Sequence, residues 1–186
     1  GYLVFYNHPR WSRETLSIVA QYRGLIGIEV YNTGVGVYEG YSGDDTYTYD
    51  ELLRSGQRLY AFANDDNHNH VPMSDTLSDS FGGFNMIKAK RLDYASVIEA
   101  IKNGNFYCST GPLMDALYMD GDTLHADCQP VREAFLITEC RGRAKGRPSH
   151  IKARPGEALT HIEFPILKSD GYVRLELVDA EGRKAY

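Results

Sequence analysis

Arg58-Leu59-Tyr60-Ala61-Phe62-Ala63-Asn64-Asp65-Asp66-Asn67-His68-Asn69-His70 is an apolar, strand-like run that passes without a break into a cluster of carboxylates, amides and imidazoles. In an extended backbone, side chains at i, i+2 and i+4 leave the same face. Asp66, His68 and His70 would then meet beyond the strand's C-terminal end. Carboxylate oxygen together with imidazole nitrogen suits Zn, Mn or Fe better than Ca, which prefers an all-oxygen shell. Asp and Asn also make ordinary polar turns, and one Asp-x-His does not choose between the two readings.

On either side of that strand, the chain up to Gly111 alternates strand and helix patterns. Leu3 to Tyr6 is a short apolar run ending at Asn7-His8-Pro9. Ser12 offers an N-cap with Glu14 in the first turn, and Leu16, Val19 and Ala20 follow at helical spacing. Gly24 closes that helix, Leu25 to Tyr31 is a buried-type strand, and Asn32 to Thr46 reads as a loop rich in Gly, Tyr and Asp. A short helix from Tyr49 to Arg54 stops at Gly56. Phe84 to Lys90 alternates as a half-buried strand, Asp93 opens a helix with Val97, Ile98 and Ile101 on one face, and Phe106 to Ser109 is a last strand. Strands alternating with helices predict βαβ units and a parallel sheet or barrel.

Beyond Gly111 the texture changes. Short alternating runs, Ala134 to Cys140, His161 to Leu167 and Tyr172 to Val178, are separated by turn pairs such as Asp170-Gly171 and Glu181-Gly182. They predict an antiparallel β subdomain, so the expected division is 1–112 and 113–186.

The chain has 186 residues, of which 42% are hydrophobic and 24% charged, the range of soluble globular proteins. A net charge of -5, with no basic run interleaved with aromatics, argues against a nucleic-acid surface. The basic run Arg141-Gly142-Arg143-Ala144-Lys145-Gly146-Arg147 reads as a solvated hairpin loop. Three cysteines without Cys-x-x-Cys point to reduced thiols and a cytoplasmic setting. No segment approaches the ~20 apolar residues of a membrane span, and a signal peptide is not expected. Gly1 is no natural initiator and a strand pattern begins at Tyr2, so the expectation is a piece of a longer chain.

Sites on βα folds form outside the C-terminal ends of the strands. His8 follows the first strand, Glu29 to Asn32 end the second, Asp66 to His70 follow the third, and Ser109-Thr110 end the last. Three of the six histidines fall at these ends; His125, His150 and His161 fall in the β region and read as surface residues.

Tyr6-Asn7-His8-Pro9, Gly27-Ile28-Glu29-Val30-Tyr31-Asn32, Asn64-Asp65-Asp66-Asn67-His68-Asn69 and Gly104-Asn105-Phe106-Tyr107-Cys108-Ser109-Thr110-Gly111-Pro112 resemble, in order and spacing, the later motifs of the PHP (polymerase and histidinol phosphatase) family. More narrowly, they resemble its bacterial metal-dependent phosphoesterase-like branch. The resemblance implies the C-terminal part of a distorted (β/α)7 barrel over 1–112, with an appended β region. It implies two or three divalent ions, Mn, Zn or Fe, with His8, Asp66 and His68 among their ligands. The implied reaction is hydrolysis of a small-molecule phosphate ester by metal-bound water or hydroxide. The family's opening motif, a His-x-His followed shortly by Ser-Asp-Gly, is absent, as is the Glu that usually follows it. The chain alone is therefore expected to be inactive, its partner being the N-terminal half of the barrel, and its exposed sheet edges invite self-association.

The remaining polar residues have two readings each. Glu29 is a ligand or a hydrogen-bonded support behind the ligands; Asn32 caps the loop or touches substrate. His70 contacts substrate, supports a ligand or lies on the surface. Asp65 orients its loop, and Arg10 is a bidentate phosphate donor or a surface ion-pair partner. Two rival functions stay open: hydrolysis of non-phosphate esters or carbamates, and a non-catalytic carbohydrate- or protein-binding module.

Overall fold

The computed structural model describes residues 2–139 and 149–186; Cys140 and the basic run from Arg141 to Arg147 lie outside them. The chain divides into two units, Gly1–Thr110 and Gly111–Tyr186.

In the first unit, β1 (Val4–Tyr6), β2 (Leu25–Asn32) and β3 (Tyr60–Asn64) form a parallel sheet in the order β1-β2-β3. The central strand buries Gly27, Ile28, Glu29 and Val30 in succession, as a strand covered on both faces must. Gly27 lies where a β-carbon would run into the Phe62 ring of the neighbouring strand, so only glycine lets these strands approach. Around the sheet run α1 (Pro9–Ser12), α2 (Leu16–Val19), α3 (Thr33–Tyr38) and α4 (Thr46–Arg54). The helix α5 (Tyr94–Lys102) lies between β4 (Phe84–Ile87) and β5 (Phe106–Ser109). Asp93 caps α5 by accepting from Ser96 N at 2.8 Å.

The chain does not form the C-terminal portion of a (β/α)7 PHP-type barrel. The described residues hold twelve strands and only five α-helices, none longer than nine residues. Parallel pairing stops at three strands: β4 and β5 pair antiparallel, Phe84 opposite Ser109 and Ile87 opposite Phe106. Alternation of strand and helix patterns along a chain does not set the direction of pairing. The helices α1 and α2, four residues each, span about 6 Å and are too short to cover a barrel strand.

The second unit is antiparallel. One sheet holds β6 (Met114–Asp120), β7 (Thr123–Val131) and β10 (Leu159–Pro165) in the order β10-β7-β6. Leu124, Ala126 and Cys128 of β7 and Ile162 and Phe164 of β10 are buried on one face, by the two-residue alternation of a half-covered sheet. Beside these strands, β8 (Glu133–Thr138) pairs with β9 (His150–Lys152) and with β11 (Val173–Val178), which also pairs with β12 (Lys184–Ala185). No helix among the described residues is long and apolar enough to cross a membrane.

Burial, followed by the nearby Asp115 and Asp127 carboxylates, pushes the Cys128 thiol up to about 11. Since the thiolate is the nucleophile, Cys128 in the native protein should stay unmodified by iodoacetamide at about pH 8, and should react once urea unfolds the chain. Peptide mass spectrometry separates this site from the other two cysteines. Native-state modification at the unfolded rate would contradict the burial assigned to it.

Candidate functional site

The C-terminal ends of the three parallel strands are joined by one buried carboxylate. Glu29, 3% exposed, sits in β2 and accepts three N–H donors. Oε2 takes the His8 backbone N at 2.6 Å and Asn32 Nδ2 at 2.8 Å; Oε1 takes Asn64 Nδ2 at 2.9 Å. Donors from beyond β1, from the end of β2 and from the end of β3 thus converge on one side chain.

Asn32 extends the chain of bonds. Its Oδ1 accepts from Val35 N at 2.8 Å and caps α3, while Nδ2 also donates to Asp66 Oδ2 at 3.1 Å. The first turn of α3 in turn meets the segment that carries Asp66: Gly34 N donates to Asp65 O at 2.9 Å. A β-carbon on Gly34 would stand 3.2 Å from Asp66 O, so a larger residue would have to push the helix start and this segment apart.

Asp65 does not face the cavity. Its Oδ1 accepts from Thr33 Oγ1 at 2.9 Å, Gly82 N at 2.8 Å and Gly83 N at 2.9 Å, and its Oδ2 from Phe81 N at 2.5 Å. Asp79, 1% exposed, organises the same loop from the other side. It accepts from His68 N at 2.6 Å and Asn67 Nδ2 at 3.0 Å, with His68 Nδ1 at 3.9 Å.

The result is a cavity of ≈ 260 Å³ lined by His8, Trp11, Gly34, Val35, Tyr38, Glu39, Asp66 and His68. Burial, and then the Asp79 carboxylate, hold the Tyr38 phenol above its usual pKa, so it stays protonated at neutral pH. His8 Nδ1 lies 3.0 Å from Ser12 Oγ, and the ring stands edge-on to Trp11. Backbone strain concentrates here: His8 (φ 34) and Asp66 (φ 52) both take the left-handed conformation. Each such residue costs roughly 1–3 kcal/mol and persists only where its surroundings over-determine it.

His8, Asp66 and His68 are therefore brought to one cavity, with Glu29 and Asn32 behind them. His70 is not brought to it by strand alternation. Asp66 and Asn69 both have positive φ, so residues 66–70 turn instead of extending. The His70 ring instead stacks on His68 at 5.6 Å and meets Tyr38 edge-on at 5.3 Å. Arg10 is exposed on α1 and lies outside the cavity lining. Asp79 and Trp11 are not legible as site residues, because no spacing links them to the Asp-x-His cluster.

Two imidazoles and a carboxylate are donors that suit Zn, Mn or Fe. In donor chemistry the cavity fits such an ion. As they stand, His8, Asp66 and His68 do not bring one donor atom each to within 4.8 Å of one another; among the described residues, the group that does is His125, His161 and Glu163. His68 is the donor of the three carried on an exposed turn, with its side chain 53% exposed.

Asp65→Ala would leave three backbone N–H groups of the 81–83 segment without their acceptor. A loss of about 2 kcal/mol in unfolding free energy is expected, with faster hydrogen exchange at Phe81, Gly82 and Gly83. Wild-type exchange at these amides would show that Asp65 does not hold the loop.

No protein-family profile matches the chain, and no curated protein matches it. Among solved structures, it is similar to a two-domain protein containing a predicted PHP-like metal-dependent phosphoesterase from Bacteroides vulgatus. The identity is 11% and the TM-score 0.37, over 99% of this chain and 53% of that one. The chain thus spans about half the length of that protein, and nothing about the site rests on so distant a likeness.

Proposed function

We propose that the cavity of the first unit is part of a divalent-metal site for hydrolysis of a small-molecule phosphate ester. The observation that carries this reading is the convergence of the three strand ends. His8 follows β1, and Asp66 and His68 follow β3, around one cavity. The hydrogen-bond chain from the His8 backbone through Glu29 and Asn32 to Asp66 ties them together.

His8, Asp66 and His68 would hold the ion. A dication bound there supplies Lewis acidity, drawing charge from a phosphoryl oxygen. The protein's own groups do the rest. Asn32 fixes one oxygen of Asp66, so the carboxylate is oriented before anything binds. With Ser12 on His8 Nδ1, Nε2 would be the nitrogen of that ring left to hold a metal. The Tyr38 phenol lines the same cavity and stays protonated beside the Asp79 carboxylate. Trp11 and Val35 give the cavity apolar walls.

Elemental mass spectrometry tests the reading after incubation with Mn²⁺ and gel filtration. Two proteins are compared, each carrying His125→Ala and His161→Ala so that the second unit's donors do not contribute: one otherwise unchanged, the other also carrying Asp66→Ala and His68→Ala. The expected result is an equivalent of metal retained by the first and lost from the second. Equal metal in both would overturn the proposal.

A further inference from the structure

The outer face of β7 and β10 carries a second donor cluster, independent of the cavity in the first unit. Alternation that buries Leu124, Ala126 and Cys128 on one face of β7 puts His125 and Asp127 on the other. On β10 the same alternation buries Ile162 and Phe164 and turns His161 and Glu163 outward. Antiparallel register sets His125 opposite Glu163 and Asp127 opposite His161. Four side chains that are 34 to 38 positions apart in the chain therefore form a two-by-two quartet, His125 and Asp127 facing His161 and Glu163.

Within the quartet, one atom from each of His125, His161 and Glu163 lies within 4.8 Å of the others. Glu163 Oε1 is 3.1 Å from His161 Nε2 and 3.4 Å from His125 Nδ1. That His125 nitrogen is buried and has no hydrogen-bond partner among the described residues; the Glu163 oxygen is in ion-pair range but outside hydrogen-bond geometry. A buried ring nitrogen without a partner costs on the order of 1–3 kcal/mol unless something else satisfies it. The Tyr118 ring, opposite His125 in β6, stacks on its imidazole at 5.0 Å and 7°, fixing the ring plane.

The remaining member supports the arrangement. His161 Nδ1 lies 2.6 Å from Asp127 Oδ1. That leaves Nε2 as the ring nitrogen facing Glu163 and His125. A carboxylate on the far nitrogen of an imidazole is the usual support of a metal-binding histidine: it fixes the tautomer and raises the basicity of the other nitrogen.

We propose that His125 Nδ1, His161 Nε2 and Glu163 Oε1 bind a borderline divalent transition-metal ion on the outer face of the second unit, with Asp127 as the positioning residue for His161. Two imidazoles and one carboxylate select Zn²⁺ or its neighbours over Ca²⁺ and Mg²⁺. The side chains of His161 and Glu163 are 48% and 58% exposed, so the ion's remaining positions are open to water or to an anionic ligand from solution.

The test is isothermal titration of Zn²⁺ into the full chain carrying Asp66→Ala and His68→Ala, which removes the donors of the first unit. One equivalent is expected, with no competition from millimolar Mg²⁺. Glu163→Gln and His161→Ala, both at exposed positions, should abolish it while leaving the far-ultraviolet circular dichroism unchanged. Asp127→Asn should weaken it roughly 10- to 100-fold with the stoichiometry kept. Zinc binding that is absent from the starting protein, or that survives in both Glu163→Gln and His161→Ala, would overturn the proposal. Since the cavity donors are already removed, neither result bears on the metal site proposed for the first unit.

Discussion

A carboxylate buried in the middle of a sheet is expensive unless every oxygen finds donors, and Glu29 finds three from three different segments. Backbone N–H of His8, side-chain amide of Asn32 and side-chain amide of Asn64 all end on it, at 2.6 to 2.9 Å. Desolvating an unpaired carboxylate costs several kcal/mol; here the cost is offset by hydrogen bonds to a charged acceptor, which are roughly twice as strong as neutral ones. The same bonds fix where each strand stops being a strand. His8 is held as the chain turns into α1, Asn32 as it turns into α3, and Asn64 as it leaves β3 toward Asp65 and Asp66. The cavity is a consequence of that arrangement.

Two further carboxylates make the loops permanent. Asp65 gathers the amides of Phe81, Gly82 and Gly83, and Asp79 gathers the His68 amide and the Asn67 side chain. Backbone groups that leave the sheet must be satisfied somewhere, and at this edge of the first unit acidic side chains do it. The geometry explains how Asp66 tolerates a left-handed backbone: the segment is pinned immediately before it by Asp65 and immediately after it through Asn67 and His68. Strain of this kind is stable only where the surroundings over-determine it.

Much of this is legible in the chain itself. Apolar runs located β2, β3 and β5, and Asp93 followed by Val97, Ile98 and Ile101 located α5. The loop read over Asn32 to Thr46 instead contains α3, because Thr33-Gly34-Val35-Gly36-Val37 is poor in intrinsic helix formers. Tertiary contacts supply what propensity does not: the Asn32 cap, and a Gly34 small enough to lie against the backbone of Asp65 and Asp66. The barrel expectation fails for a related reason. Strand and helix patterns can be seen locally, whereas the antiparallel pairing of β4 with β5 is a long-range choice that periodicity does not encode. Asp79 and the His125–Glu163 register were illegible for the same reason: each acts on residues brought near it only by the fold.

If Glu29 joins the three strand ends, its charge and not merely its volume is needed. Glu29→Gln keeps the shape but turns an amide –NH₂ toward at least one N–H donor that now meets a carboxylate oxygen. Equilibrium urea unfolding, read together with the ¹H–¹⁵N resonances of the His8 amide and the Asn32 and Asn64 side chains, measures the consequence directly. The account predicts a loss of about 2 kcal/mol or more, with all three resonances displaced. A change within about 0.5 kcal/mol, with those resonances in place, would contradict it.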